Sequence, residues 1–273
     1  MGGTASGSAR AQHTARLVLL DGFELRRGGR VVPVPMTVQR VLAFLALHDR
    51  MLPRSQVAGT LWLDASEERA TASLRSALWR LRRPGDALVE VSSSHLQLAA
   101  GVTVDYREVV GHARALLDEA SEGEALERNA GCLSRELLPG WWEDWVLVER
   151  ERFRQLRLHA LEARCRRLMR VGRFAQAVEA GLAAVALEPL RESAHRLLIS
   201  VHLAEGNRAE ALRQYRAYQR LLREELALDP SPQIQALLGE LLSSPAAGSR
   251  RFGTTRHSRP TAARSPVGVP TRR

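Results

Sequence analysis

The chain has 273 residues, 45% of them hydrophobic, with 40 basic and 30 acidic residues and a formal charge of +10; that length and apolar content hold one or two domains with proper cores and exclude a disordered fragment. Every basic residue is arginine, which removes a P-loop lysine, a Schiff-base lysine and a Ser-Lys dyad from the possible chemistry. No apolar run reaches the roughly 18 residues of a membrane span, the N-terminus lacks a signal-peptide core, and Cys132 and Cys165 lie far apart without CxxC spacing, so neither membrane, zinc site nor disulfide framework is expected and a reducing cytoplasm fits.

Residues 1–15 are rich in Gly, Ser, Thr and Ala and are expected to be a disordered lead-in. In "RLVLLDGFELRRGGRVVPVP" two apolar runs flank "RRGG", a hairpin signal. "TVQRVLAFLALHDR", Thr37 to Arg50, predicts a helix with Thr37 as its cap and Val38, Val41, Leu42, Leu45 and Ala46 inward. "QVAGTLW" predicts a short helix introduced by Pro53 and Ser55, and Asp64 with Glu67 has the spacing of a capping box.

The capping box leads into "TASLRSALWRLRR". At 100° per residue Ala70, Leu74, Ala77, Leu78 and Leu81 form one stripe, the pattern of a buried face. Opposite or beside it lie Arg69, Ala72, Arg75, Ser76, Trp79, Arg80, Arg82 and Arg83, with no acid at i±3 or i±4 inside the helix. Pro84 and Gly85 stop it. "ALVEVSSSHLQLAAGVTVDY" then alternates as two strands about "SSSH", a second hairpin. A basic third helix beside a β-hairpin is the winged form of a helix-turn-helix.

From Tyr106 to about Leu242 the pattern is helical and repeats. "RVGRFAQAVE" and "AEGNRAEALR" align at an offset of 34, the tetratricopeptide period, matching Gly172 with Gly206, Ala175 with Ala209 and Ala177 with Ala211. Small residues there are expected to let paired helices approach closely. "LEP" and "LDP" close each unit, but the second closure comes 41 residues after the first, so the last helix must be longer or shifted. "LLDEASEGEALERNAG" reads as a worn earlier repeat. After Leu242, Ser/Pro/Gly/Arg composition predicts a disordered end. Residues 1–105 hold 13 arginines against 9 acids, 106–242 hold 20 against 21, and 243–273 hold 7 against none. A basic front before a neutral body fits a nucleic-acid partner.

The expected fold is therefore mainly α with small β, a winged helix-turn-helix domain over 16–105 followed by an all-α tetratricopeptide-like domain over 106–242, with an arginine-rich tail over 243–273. "LWLDASEERATASLRSALWRLRR", "VDYREV", "LLPGWWEDWVLVERERFRQLRLHALEA" and the stretch from Pro189 to Leu238 together resemble the SARP-type bacterial transcriptional activators of antibiotic gene clusters, over roughly residues 16–242. The resemblance implies an OmpR-like winged-helix domain joined to a bacterial transcriptional activator domain. It also implies binding of double-stranded DNA at promoter direct repeats near the −35 region as a homodimer or side-by-side pair, and recruitment of RNA polymerase holoenzyme. Its recognition helix falls on Glu67 to Arg83 and its wing on Val89 to Leu98. A short stand-alone form is expected, with no phosphoacceptor receiver and no nucleotide-binding domain. Ala72 and Trp79 stand where polar side chains are common in the family.

The candidate DNA-binding residues are Arg69, Thr71, Ala72, Arg75, Ser76, Trp79, Arg80, Arg82 and Arg83 on the helix, and Ser93, Ser94 and His95 on the wing. Arg75, Ser76 and Arg80 are expected at base edges, Arg82 and Arg83 at phosphates. Trp79 either touches sugar or a thymine methyl or covers an apolar gap between domains, the second being favoured. The wing residues are placed for backbone or minor groove, a placement any polar hairpin tip shares. "PGWWEDW" is expected to pack helix against the neighbouring domain, and His195 and His202 to be core or rim rather than metal ligands. No nucleophile, base and orienter come together, so no catalytic residue, cofactor or metal is expected. The leading reading is a cytoplasmic, nucleoid-associated activator. The alternative is a protein-protein adaptor with a degenerate winged helix.

Overall fold

The computed structural model describes residues 15–81, 87–118, 126 and 130–239. The lead-in, the C-terminal tail, Arg82, Arg83 and most of the worn repeat lie outside them. The architecture is mainly α with two small sheets, a winged helix followed by a helical array.

Strand β1 (Ala15–Val18) pairs antiparallel with β2 (Glu24–Arg27), and β2 with β3 (Arg30–Val31). Gly28 and Gly29 take φ of 53° and 79°, the two left-handed positions that a two-residue hairpin loop of matching twist requires. Helix α1 (Met36–Leu47) buries all five expected residues and also Ala43 and Phe44, so it runs through the core rather than along its edge. Its N-terminus is Pro35, with no side-chain cap, and Thr37 lies inside the first turn. The proline carbonyl accepts from Val38 and Gln39 instead.

Strand β4 (Leu52–Pro53) and helix α2 (Arg54–Leu61) follow, with Pro53 rather than Ser55 at the helix boundary. Helix α3 (Glu67–Leu81) starts one residue after Ser66, whose carbonyl accepts from Ala70 at 2.8 Å and whose hydroxyl lies 3.5 Å from the Arg69 amide. Asp64 stays in the preceding turn, so the expected capping box is not formed.

Strands β5 (Val89–Val91) and β6 (His95–Leu98) make the wing, and β4 adds to the far edge of β6. The segment read as the end of this hairpin belongs elsewhere. Strand β7 (Thr103–Val104) crosses to the first sheet and pairs parallel with β1, Arg16 opposite Thr103 and Leu17 opposite Val104. Helix α4 (Asp105–Leu117) begins at the next residue. The buried Asp105 carboxylate accepts from the amides of Leu19 (2.8 Å), Leu20 (3.2 Å) and Tyr106 (2.7 Å), which ties the helix start to the residues that leave β1.

A 3-10 turn (Ala130–Ser134) leads to helices α5 (Asp144–Arg170), α6 (Phe174–Leu187), α7 (Glu192–Ala204), α8 (Arg208–Leu226) and α9 (Pro232–Leu237). Helix α5 packs on α6, α6 on α7 and α7 on α8, while α9 packs back on α7. Gly172 and Gly206 both have positive φ, 72° and 85°, in the turns after α5 and α7. Ala177 and Ala211 are fully buried, as close helix approach requires, but Ala175 and Ala209 are exposed and bring no helices together. Among the described glycines the tightest surroundings are at Gly181, where an added Cβ would stand 3.1 Å from Leu198 Cδ1 and 3.5 Å from Cys165 Sγ. The longer spacing is taken up mostly by α8, with 19 residues against 14 in α6, and otherwise by Ala227 and Leu228, which follow α8 before the second closure completes.

One apolar core runs from β1 into α7, and the seam between the two halves is closed by arginines and rings. Arg107 on α4 donates to the Leu45 and Ala46 carbonyls at the C-terminal end of α1. Arg40 donates to the Leu61 carbonyl at 2.5 Å and pairs with Glu143 at 3.0 Å. Arg135 pairs with Asp21 at 2.7 Å. Arg150 serves the carbonyls of Leu137, Leu138 and Trp141, in a turn where Leu138 is held at φ 45°. Strain of that kind persists only where surrounding bonds over-determine it. Arg157, buried, donates to the Leu133 and Arg135 carbonyls and lies 4.6 Å over the Phe153 ring. Burial pushes its pKa down.

Candidate nucleic-acid interface

Helix α3 places its side chains by its period. Ala70, Leu74, Ala77, Leu78 and Leu81 are buried and α3 packs on α1 and α2; each large apolar side chain so buried contributes about 1.5–3 kcal/mol. That fixes the rotation of the helix about its axis. Ala72, Ser76 and Trp79 consequently point away from the core, flanked by Arg69, Arg75 and Arg80, all exposed, while Thr71 is half-buried. From Arg69 to Arg80 the helix rises about 16 Å.

Among the described residues none of Arg69, Arg75 and Arg80 has an ion pair or hydrogen-bonded side-chain partner. The acid-free face holds only from Arg69 onward. Glu67 and Glu68 are exposed in the first turn, and Glu68 shares the face of Arg75 seven residues later. Carboxylates there are stabilised by the helix dipole. Glu68, which the reading of the stripe passed over, can accept from an exocyclic amine such as that of cytosine.

Trp79 does not cover a gap between domains. It is 73% exposed, opposite the buried stripe, with no ring partner among the described residues. The expectation failed because the wheel fixes the direction of a side chain but not what stands opposite it.

The wing tip is ordered by its own side chains. Ser92 Oγ accepts from the His95 amide at 2.9 Å, and Ser94 Oγ lies 2.8 Å from His95 Nδ1. The Ser94 carbonyl accepts from the Arg54 amide at 2.9 Å, which anchors the tip to the start of α2. Ser93 and Ser94 are exposed and His95 half-buried. Ser92, which pins the turn, carries no signal in the sequence beyond its place in a serine run.

The tryptophan cluster divides. Trp141 stacks on Phe23 with centroids 6.1 Å apart, and Trp145 meets Phe44 edge-on at 5.3 Å, so these two join the helical half to the winged half as expected. Trp142 is 75% exposed and instead borders an open groove of about 470 Å3 with Trp62, Leu63, Asp64, Glu143 and Asp144. His195 is a core residue, its Nε2 2.8 Å from the Pro189 carbonyl and its ring stacked on Tyr218, with Gln214 at Nδ1. His202 is half-buried. Burial pushes the Cys165 thiol up to about 12 and raises that of Cys132, the reverse of what a nucleophilic thiolate needs. Among the described residues no three His, Cys, Asp or Glu side chains gather as a metal site, and no helix is long and apolar enough to cross a membrane.

The chain is similar to known regulators. It is 29% identical over 240 residues to the regulatory protein AfsR of Streptomyces coelicolor, covering 84% of this chain and 24% of that protein. Against AfsR of Streptomyces griseus the identity is again 29% over 240 residues, covering 83% and 24%. The chain thus spans about a quarter of the length of these relatives. In fold it resembles Mycobacterium tuberculosis EmbR, solved in complex with a low-affinity phosphopeptide, with a TM-score of 0.67 and 20% identity over 84% of this chain and 65% of that one. Residues 98–242 match the bacterial transcriptional activator domain, more than half of the chain. With that match and these relatives, the chain belongs to the SARP-type bacterial transcriptional activators.

Proposed function

We propose that this activator binds DNA sequence-specifically with α3 in the major groove. The observation that carries the reading is the set of exposed arginines on α3, Arg69, Arg75 and Arg80, without an ion pair among the described residues. Guanidinium groups held out by a rigid helix and left unpaired are suited to phosphates and to guanine O6 and N7. Arg75, Ser76 and Arg80 read base edges; Arg69 holds phosphate, as do Arg82 and Arg83. Ser93, Ser94 and His95 on the wing meet the backbone or minor groove.

The winged helix of residues 16–105 supplies this contact. Residues 106–242 supply self-association and the approach to RNA polymerase holoenzyme, because stacked helix pairs present a continuous surface suited to binding rather than chemistry. Two copies side by side on promoter direct repeats, switching on a secondary-metabolite gene cluster, complete the reading. The protein works in the cytoplasm at the nucleoid and is not an enzyme.

In vitro selection from random duplex DNA, with the chain and with an Arg75→Ala, Arg80→Ala variant, tests this. Tandem direct repeats enriched by the first and not by the second support it. No enrichment with either points to an adaptor that binds protein through its helical half.

A further inference from the structure

We propose that Trp79 is a specificity residue that lies against the C5-methyl group of a thymine in the major groove, within about two base pairs of the base read by Arg75. The inference rests on the reading of α3 given above.

Trp79 is an indole presented to solvent at 73% exposure, while its neighbour Leu78 and nearby Leu81 are buried. The fold does not use it: it packs in neither sheet nor seam, and no ring or guanidinium meets it among the described residues. Whatever covers it must also accept its neighbours on the exposed face. Those are Arg75 one turn before, Ser76 beside it, Arg80 next in sequence and the small Ala72 two turns before. The cover is therefore a polyanion with an apolar spot.

The major groove meets that description. Its floor is donors and acceptors except for the thymine methyl, and its walls are phosphates. Two other large exposed apolar side chains contrast with Trp79. Trp142 and Leu63 border the groove that also carries Asp64, Glu143 and Asp144, where a polyanion is repelled. Trp79 is flanked by unpaired cations instead. Four residues separate it from Arg75, a rise of about 6 Å, against about 3.4 Å per base step, which sets the two-base-pair limit.

The test uses an operator enriched by the full chain. Each thymine is replaced in turn by uracil, which removes only the methyl group, and binding is measured with the chain and with Trp79→Ala. One position should bind the chain about fourfold more weakly as uracil, the worth of one methyl-sized group leaving an apolar contact. Trp79→Ala should bind the thymine operator more weakly, be indifferent to uracil there, and keep the unfolding midpoint of the parent. A uracil scan that is flat for the chain, or an undiminished uracil penalty in Trp79→Ala, overturns the assignment while leaving sequence-specific binding intact. Failure to enrich any operator overturns both. Unchanged DNA binding by Trp79→Ala with abolished transcript activation also overturns it, in favour of an acidic protein surface.

Discussion

The arginines of α3 and those of the seam carry the same group into opposite surroundings. At the seam Arg40, Arg107 and Arg135, and behind it within the helical half Arg150 and Arg157, each end on backbone carbonyls, carboxylates or both. On α3 Arg69, Arg75 and Arg80 end in solvent. The planar fork suits both: it satisfies several fixed acceptors at once when they are present, and stays charged and hydrated when they are absent. In a chain without lysine, counting positive charge therefore cannot separate binding surface from scaffold. The partner of each guanidinium does.

Substitutions on the two sides should separate accordingly. Arg75→Ala with Arg80→Ala is expected to give the largest effect, about 1–3 kcal/mol of DNA binding for each base that a guanidinium no longer holds, with the unfolding midpoint nearly fixed because surface changes of this kind move stability by about 0.5 kcal/mol or less. Anisotropy titration and calorimetry on one preparation read both quantities. Arg157→Ala should invert the pattern. It strips a charged donor from the Leu133 and Arg135 carbonyls and should cost about 2–3 kcal/mol in urea unfolding, with DNA affinity retained under native conditions.

Gly181→Ala probes packing without charge. The new methyl must push Leu198 away from 3.1 Å, for a cost of about 1–3 kcal/mol by overpacking, again with DNA affinity unchanged. The smallest effect concerns acid. Burial lowers the His195 imidazole below its ordinary 6.5, although the Pro189 carbonyl opposes the shift. The unfolded chain takes up the proton first, so the stabilisation is complete above pH 6.5 and is lost as pH falls from there through the lower folded value. His195→Gln should flatten that part of the midpoint-against-pH curve.

What the sequence made legible is what its periods encode. The stripe of α3, the buried face of α1, the serine-tipped wing and the 34-residue return of Gly172 at Gly206 are all local patterns, each within one element or one repeat. What escaped is non-local or very short. Strand β7 has two residues, too few for an alternation, and its partner lies more than 80 residues earlier. Arg135 finds the Leu20 carbonyl across 115 residues. No window contains such a pair. Pro35 and Pro53 set the starts of α1 and α2 through backbone shape, without the side-chain caps that Thr37 and Ser55 suggested, and α3 starts after Ser66 rather than from a cap at Asp64. At the interface, sequence ordered the exposed face of α3 correctly but could not tell that Trp79 would be left uncovered.

Val104 closes the first sheet and Asp105 opens α4, with no residue between them. The chain that leaves the winged half is therefore not a tether but a crank, clamped by the Asp105 carboxylate on Leu19 and Leu20. A crank transmits rotation. Two copies reading repeats on one duplex would have their helical halves brought round by the pitch of the DNA itself, about 10.5 base pairs per turn, and a half-turn inserted between the repeats would turn those halves to opposite sides with no slack to bring them back.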